Sequence, residues 1–104
     1  MDIRVLFQKE ELITVVAQHH ETKQVLMVGS ANEEAVRLIF ETKTAWFWSR
    51  TRGALWQKGE TSGNTLHVVE AYTDCYQSKL LLLCRPDGPT CHTGAVSCFY
   101  TKVL

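Results

Sequence analysis

The chain has 104 residues, a net charge of zero at pH 7 and a sequence pI near 6.9. This length predicts one domain with a single core, residues 1–104, and the balanced charge argues against a surface that binds nucleic acid. No apolar run has the length of a signal peptide or of a membrane span. We therefore expect a cytoplasmic protein with no membrane partner, in which thiols stay reduced.

Short β-branched runs predict the first two elements as strands. These runs, ELITVVAQ and QVLMVG, are separated by the polar HHETK, which predicts a hairpin. The next stretch, SANEEAVRLIFETK, predicts one helix at roughly residues 31–42. Its start is indicated by an S-x-x-E capping box formed by Ser30 and Glu33, and its apolar face by the spacing of Val36, Ile39 and Phe40.

Four further strands are predicted after the helix: TAWFWSR, ALWQK, NTLHVVEAY and SKLLLLCR. Turns are predicted at TRG, GETSG and RPDGP. The fold class is therefore α+β, mostly antiparallel β-sheet with one main helix. So many large apolar strand residues in a short chain indicate that a second copy covers one face, since exposed apolar patches usually mark interfaces. We expect a homodimer.

All four cysteines lie in the second half of the chain. Because reduced thiols are expected, metal ligation or catalysis is favoured over disulfides. Cys84 ends the apolar run of a predicted strand and is interpreted as a small buried hydrophobe. Cys75, Cys91 and Cys98 lie near predicted turns, and their spacing matches no common zinc finger. Three thiolates without an evident fourth ligand favour an open, catalytic zinc site that keeps one position for water.

His92 directly follows Cys91. Neighbouring residues on an extended chain point to opposite sides, so these two are not expected to bind one ion together. A histidine beside an activated water suits proton transfer instead, because its unperturbed pKa is close to neutrality. A turn histidine that is hydrogen-bonded to backbone is the alternative that the sequence leaves open.

A second group of candidate residues lies in WFWSRTRGALWQKGETSG. The 59–63 loop can present hydroxyls and backbone N–H groups to a phosphate, with nearby basic side chains supplying charge. An ordinary hairpin with solvated basic tips is the alternative, while stacking of single-stranded RNA is disfavoured by the zero net charge. The candidate substrate-binding residues are Arg50, Arg52, Trp56, Lys58, Gly59, Glu60, Thr61 and Ser62.

The blocks SRTRGALWQKGETSGN, DC and GPTCHTGAVSCFY together resemble the phosphoribosyl-AMP cyclohydrolase family. The resemblance runs from about Leu12 to Tyr100, nearly the whole chain. It implies the third step of histidine biosynthesis, in which water attacks C6 of the adenine ring of phosphoribosyl-AMP and the N1–C6 bond opens.

The resemblance also implies how the site is built. In the family's intertwined homodimer, Cys75 of one subunit would join Cys91 and Cys98 of the other around zinc. His92 would shuttle the proton, with Asp74 as a second catalytic candidate. The region of Arg50, Arg52 and GETSG would hold a substrate phosphate.

The chain departs from the family pattern around its first motif cysteine. Family members usually read D-C-D-x-D there, and the three aspartates form a magnesium site, whereas residues 74–78 of this chain read DCYQS. Asp74 alone remains, because Tyr76 and Ser78 are neutral and are poor magnesium ligands. We therefore expect the magnesium site to be lost or much weakened. Lys79 follows and adds a positive charge, either near the substrate or simply on the surface.

Three functions stay open at this point. The first is a zinc-dependent cyclohydrolase with little or no need for magnesium. The second is a paralogue that acts on another N-substituted purine or cyclic amidine, with Tyr76 reshaping the pocket. The third is a catalytically silent zinc-binding homologue, which the retention of His92 and of the anion loop disfavours because a structural zinc site needs neither.

Overall fold

A computed structural model describes all 104 residues of the chain. Its elements are a 3₁₀ helix (Ile3–Phe7), β1 (Ile13–His19), β2 (Val25–Ala31), α1 (Glu33–Thr42), β3 (Trp46–Ser49), β4 (Ala54–Gln57), β5 (Leu66–Thr73) and β6 (Lys79–Pro86). The predicted helix and all six predicted strands are present, so the α+β class is confirmed. The sequence patterns did not predict the 3₁₀ helix. Neither helix has the length and apolar character needed to span a membrane.

The strands form a four-stranded sheet of order β2-β1-β6-β5 and a separate β3–β4 hairpin. The β1–β2, β3–β4 and β5–β6 pairs are antiparallel, while β1 and β6 pair in parallel. This parallel pairing joins the first and last strands of the chain in the middle of the larger sheet. The β1–β2 hairpin and the TRG turn between β3 and β4 were predicted, whereas the β5–β6 hairpin and the parallel pair were not.

One face of the larger sheet packs into the core. The side chains of Val15, Ala17, Leu80 and Leu82 alternate toward this face and are almost completely buried. Helix α1 and strand β3 lie against the same core. Burial of these alternating apolar residues is the main stabilising contribution to the fold.

The other face of the sheet carries an apolar row across all four strands. Val28, Val16, Leu81 and Tyr72 are successive cross-strand partners on β2, β1, β6 and β5. Val16 and Leu81 are half-buried, whereas Val28 and Tyr72 at the two ends are 44% and 54% exposed. We call this surface the outer apolar row. An apolar row on the solvent side of a sheet is typical of an interface.

Helix α1 begins two residues later than predicted. Asn32 is its N-cap, and the side-chain oxygen accepts a hydrogen bond of 2.9 Å from the N–H of Ala35. The predicted capping box of Ser30 and Glu33 is therefore wrong. Ser30 instead belongs to β2, where it pairs with Thr14 of β1. Asparagine is as good an N-cap as serine, so the strand can extend without loss of the cap.

Candidate functional site

A cavity of about 430 Å³ brings together the loop after β4 and the turn after β6. We call it the Cys91 cavity, because Cys91 and His92 line one of its walls. Its lining includes seven of the eight predicted substrate-binding residues: Arg52, Trp56, Lys58, Gly59, Glu60, Thr61 and Ser62. Arg50 lies exposed in the β3–β4 turn and does not line the cavity.

The 59–63 loop is shaped by its own backbone. The N–H of Gly63 donates to the carbonyl of Gly59 at 2.8 Å, and both glycines have positive φ angles, 82° and 90°. The Ser62 hydroxyl accepts a hydrogen bond of 3.1 Å from the N–H of Asn64. The Thr61 hydroxyl lines the cavity without a partner in the chain, so it is free to bind a ligand.

Substitution of Gly59 should disturb this loop more than substitution of Gly63. A Cβ atom at Gly59 would lie 2.5 Å from the backbone nitrogen of Thr65, whereas one at Gly63 would meet nothing within 4 Å. Both positions carry the cost of a positive φ, about 1 kcal/mol. Gly59→Ala adds the steric conflict, so we expect it to lower the free energy of unfolding by about 2–3 kcal/mol. Urea unfolding of Gly59→Ala and Gly63→Ala measures the difference in stability. Equal destabilisation of the two variants would contradict the steric conflict at Gly59.

Lys58 supplies positive charge at the start of the same loop. Its Nζ lies 5.9 Å from the centroid of the Trp56 ring, within the range of a cation–π interaction. The Trp56 ring in turn packs against the buried ring of Phe47, with 5.1 Å between ring centroids. The core therefore positions Trp56, and Trp56 helps to position the lysine.

Cys91 and Cys98 are neighbours, and each thiol shifts the pKa of the other. The Thr93 hydroxyl donates to Cys91 Sγ at 3.1 Å and lowers the pKa of the Cys91 thiol, and Cys98 and the charge of Lys58 lower this pKa further. Burial, and then the neighbouring Cys91, raise the pKa of Cys98. The pair thus favours a thiolate at Cys91, and thiolates are the form in which cysteines bind zinc.

Hydrogen bonds to backbone carbonyls hold the Cys98 end of this segment against the edge strand β2. The N–H of Cys98 donates to the carbonyl of Leu26 at 2.8 Å, and the Ser97 hydroxyl donates to the carbonyl of Val25 at 2.6 Å. A tight turn follows Cys91, closed by a 3.0 Å hydrogen bond from the N–H of Gly94 to the carbonyl of Cys91. The segment after β6 therefore crosses to the far edge of the sheet.

The turn also changes the expected relation between Cys91 and His92. The chain is not extended here, and His92 Nδ1 lies 4.0 Å from Cys91 Sγ. The expectation that the two side chains point to opposite sides is therefore wrong, because it assumed an extended chain. His92 is exposed and lines the Cys91 cavity. Its position allows contact with a ligand there, and its role in proton transfer stays a prediction.

Cys75 lies on the β5–β6 turn, far from the other two candidate ligands. Lys79, four residues later, pairs with Thr14 at the start of β1. Cys98 bonds instead to Leu26, which lies beside the end of β1. Cys75 and Cys98 therefore occupy opposite corners of the sheet. Consistent with this, no three His, Cys, Asp or Glu side chains of one chain could hold a metal ion together.

Asp74 stabilises the β5–β6 turn. Its Oδ1 accepts hydrogen bonds from the N–H groups of Ser78 at 2.8 Å and Lys79 at 3.0 Å, and its Oδ2 lies 4.0 Å from Lys79 Nζ. The Ser78 N–H, followed by the N–H and ammonium of Lys79, lowers the pKa of this carboxyl. Tyr76, which is 79% exposed, adds no carboxylate. A single carboxylate already bonded to its own turn does not fit a magnesium ion, which is usually held by carboxylate oxygens.

Cys84 belongs to the core. Its side chain is fully buried, and burial raises the pKa of its thiol to about 12. It is therefore protonated at neutral pH and is no candidate ligand, which confirms its interpretation as a small hydrophobe. All four cysteines of the chain are free thiols.

Several polar residues near the Cys91 cavity were not singled out by the sequence patterns. Asn64 and Thr90 line the cavity, and Thr93 donates to Cys91 Sγ. Thr90 is only 2% exposed, and its hydroxyl has no hydrogen-bond partner in the chain. The signal in the sequence is PTCHT, where threonines flank the cysteine and histidine. Such an unpartnered buried hydroxyl is costly unless a ligand or water completes it.

Comparison with known proteins agrees with the motifs. Residues 27–100 match the model of the family described as PRA-CH, phosphoribosyl-AMP cyclohydrolase. The phosphoribosyl-AMP cyclohydrolase of Brucella anthropi is 54% identical over 100 residues, which cover 94% of this chain and 71% of that protein.

Two further relatives give similar matches. The phosphoribosyl-AMP cyclohydrolase of Bacillus cereus is 46% identical over 93 residues, covering 89% of this chain and 92% of that protein. That of Archaeoglobus fulgidus is 50% identical over 97 residues, covering 93% and 90%. Identity of this level over most of both chains, together with the family match, shows that this chain belongs to the phosphoribosyl-AMP cyclohydrolase family.

Proposed function

We propose that the chain hydrolyses the adenine ring of phosphoribosyl-AMP at the N1–C6 bond, the third step of histidine biosynthesis. The observation that carries the proposal is the Cys91 cavity, where a cysteine and a histidine face a loop suited to a phosphate. Relatives named phosphoribosyl-AMP cyclohydrolase match nearly the whole of this chain.

In this proposal the 59–63 loop holds one substrate phosphate. Lys58 and Arg52 supply positive charge, and Thr61 supplies a free hydroxyl. The substrate then lies with its adenine ring beside Cys91 and His92, on the opposite wall of the cavity. The unpartnered hydroxyl of Thr90 is available for a further hydrogen bond to the substrate.

Zinc fits the thiol groups of the chain. Cys91 and Cys98 would supply two thiolates, and Cys75 of a second copy would supply the third. When bound there, zinc provides Lewis-acid activation of water at neutral pH. Because thiolate ligands require reduced cysteines, we also place the protein in the cytoplasm.

A second copy of the chain would complete this site. Cys75 and Cys98 lie at opposite corners of one sheet, so a single chain cannot bring them together. In the proposed dimer, the sheets of the two copies pack against each other through the outer apolar row. A two-fold axis that runs oblique to the strands would then bring Cys75 of each copy beside Cys98 of the other. The pairing would also cover Phe99 and Tyr100, which are exposed apolar side chains in the single chain.

His92 is proposed to move the proton. During hydrolysis an oxygen–C6 bond forms, the N1–C6 bond breaks, and one proton passes from the attacking water to the leaving nitrogen. His92 lines the cavity and is free to accept and return this proton. Asp74 is the weaker candidate, because its Oδ1 is already bonded to two backbone N–H groups and its Oδ2 faces Lys79.

Turnover of phosphoribosyl-AMP tests the proposed reaction. The zinc-loaded protein is assayed by ultraviolet absorbance in buffer freed of magnesium, and magnesium is then added back. We expect turnover that does not depend on magnesium, because only Asp74 remains of the family's three aspartates. Activity only with magnesium would mean that other residues rebuild that site. Absence of turnover in both conditions would contradict the proposal and favour a paralogue with another substrate or a silent homologue.

A further inference from the structure

A second cavity, of about 340 Å³, lies between the 3₁₀ helix and the β5–β6 turn. Ile13 and Thr14, at the start of β1, contribute to its lining, together with side chains that follow the 3₁₀ helix and the four residues 76–79 of the turn. We call it the lysine cavity, because Lys9 and Lys79 line it from opposite segments. Neither the motifs nor the Cys91 cavity account for it.

The polar groups of the lysine cavity suit an anion. Lys9 and Lys79 bring two positive charges to a lining that contains one carboxylate, Glu10. Lys9 is exposed and forms no ion pair within the chain, and the side-chain amides of Gln8 and Gln77 have no hydrogen-bond partner. Two cations with nearby amide donors form a suitable environment for a phosphate monoester.

The β5–β6 turn orients Lys79. Its backbone N–H donates to Asp74 Oδ1 at 3.0 Å, and its Nζ lies 4.0 Å from Asp74 Oδ2 and 3.5 Å from Ser78 Oγ. Asp74 therefore holds the lysine near the turn but neutralises its charge only in part. The side chain is 60% exposed, so its ammonium can reach a ligand.

The proposed shared site would bring the two cavities together. Tyr76, which lines the lysine cavity, directly follows Cys75. Cys91 lines the other cavity. If Cys75 of one subunit shares zinc with Cys91 of its partner, the lysine cavity of the first opens beside the Cys91 cavity of the second.

The substrate has two phosphates to place, because phosphoribosyl-AMP carries one on each ribose. We infer that the substrate bridges the two subunits, with one phosphate on the 59–63 loop and the other in the lysine cavity of the neighbouring chain. The inference rests on the proposed function and its shared site. It makes Lys9 and Lys79 specificity-determining residues, since a nucleotide with a single phosphate can fill only one of the two positions.

Steady-state kinetics with phosphoribosyl-AMP, and with two analogues that each lack one phosphate, test the inference. The variants are Lys9→Gln and Lys79→Gln, with Lys79→Arg as a charge-preserving rescue. Arg37→Gln is the matched control, because Arg37 pairs with Glu33 on the surface of α1 and lines neither cavity. We expect each lysine variant to raise KM for phosphoribosyl-AMP about tenfold while kcat changes little, the scale of one charge-assisted hydrogen bond.

The analogues separate contact with a phosphate from a structural effect. For the analogue that lacks the phosphate held by the lysine cavity, wild type and lysine variants should have the same KM. For the other analogue, which keeps that phosphate, KM of the lysine variants should still be roughly tenfold higher than KM of wild type. Urea unfolding checks that both exposed substitutions leave the fold intact, and Lys79→Arg should recover most of the affinity.

Two results would overturn the inference. One is an unchanged KM for phosphoribosyl-AMP in both lysine variants. The other is a lysine-variant defect of equal size with all three substrates, which would indicate an indirect effect of the substitution. The wild-type protein distinguishes failure of the proposed function from failure of this inference. Absence of turnover in wild type contradicts the reaction and with it the bridging substrate, whereas an active wild type with unaffected lysine variants contradicts the inference alone.

Discussion

Replacing Cys91 by serine is expected to abolish zinc binding and to reduce turnover of phosphoribosyl-AMP by about 10³-fold or more. The Thr93 hydroxyl, Cys98 and Lys58 lower the pKa of the Cys91 thiol, so its thiolate form is favoured. A serine hydroxyl stays protonated at neutral pH and is a poor zinc ligand. Zinc content and turnover of the purified variant measure the two losses, and the dimer should weaken as well if the ligands are shared.

Cys84→Ala is the matched control for this experiment. Cys84 is fully buried in the core, so its replacement removes a sulfur from the chain without touching the proposed ligands. We expect a loss of about 1 kcal/mol in the free energy of unfolding and unchanged zinc content and turnover. A Cys91→Ser protein with full activity would contradict the zinc site.

Replacing His92 by alanine is expected to slow turnover by about 10²-fold or more while zinc content stays the same. The effect follows from loss of the group proposed to carry the proton between water and the leaving nitrogen. His92 lies 4.0 Å from Cys91 Sγ and lines the Cys91 cavity, so its removal changes the site without disturbing the core. Kinetics and metal analysis on the same preparation measure both quantities.

His19→Ala serves as the control for the histidine variant. His19 lies at the end of β1, where its Nδ1 accepts a hydrogen bond of 3.1 Å from the N–H of Glu21, and it lines none of the described cavities. Its removal should leave the rate unchanged. An unaltered rate in the His92 variant would contradict the assignment, and Asp74→Asn would then test the remaining candidate for proton transfer.

Hydrophobic periodicity and turn residues were sufficient to predict α1 and the six strands, though not the 3₁₀ helix, because both signals depend on residues that are close in sequence. The parallel pairing of β1 and β6 could not be predicted in this way. Alternation indicates which side chains share a face, but not which distant strand lies alongside. The helix start was misassigned because Ser30 and Asn32 are both good caps, and only the pairing of Ser30 with Thr14 decides between them.

The candidate site was predictable only in part, because the sequence contains local motifs but not the tertiary contacts between them. GETSG and PTCHT each carry a local chemical signal, and the structure places both segments on one cavity. The sequence could not predict that Arg50 lies away from this cavity, since the direction of a turn depends on tertiary packing. It also gave no sign that Thr90 is buried with an unpartnered hydroxyl. The distance of Cys75 from Cys98 follows from the order of the strands in the sheet. The spacing of the cysteines along the chain does not indicate this order.

Complementation between two inactive variants tests most directly the claim that two subunits build each catalytic site. Cys75→Ser and Cys91→Ser proteins are each expected to be inactive. In a mixed dimer, the Cys91→Ser subunit supplies an intact Cys75, and the Cys75→Ser subunit supplies intact Cys91 and Cys98. One of the two sites is therefore complete. Random exchange of subunits should restore about one quarter of wild-type turnover, because about half of the dimers are mixed and each has one working site.

The variants are co-expressed or refolded together, and turnover of phosphoribosyl-AMP is compared with that of each variant alone. Cys91→Ser mixed with Cys98→Ser is the matched control, because these two changes remove ligands from the same segment. That pair should stay inactive, since its mixed dimer contains no complete site. Recovered activity only for the mixture with Cys75→Ser is the predicted result. If that mixture stays inactive although mixed dimers form, the shared site is contradicted.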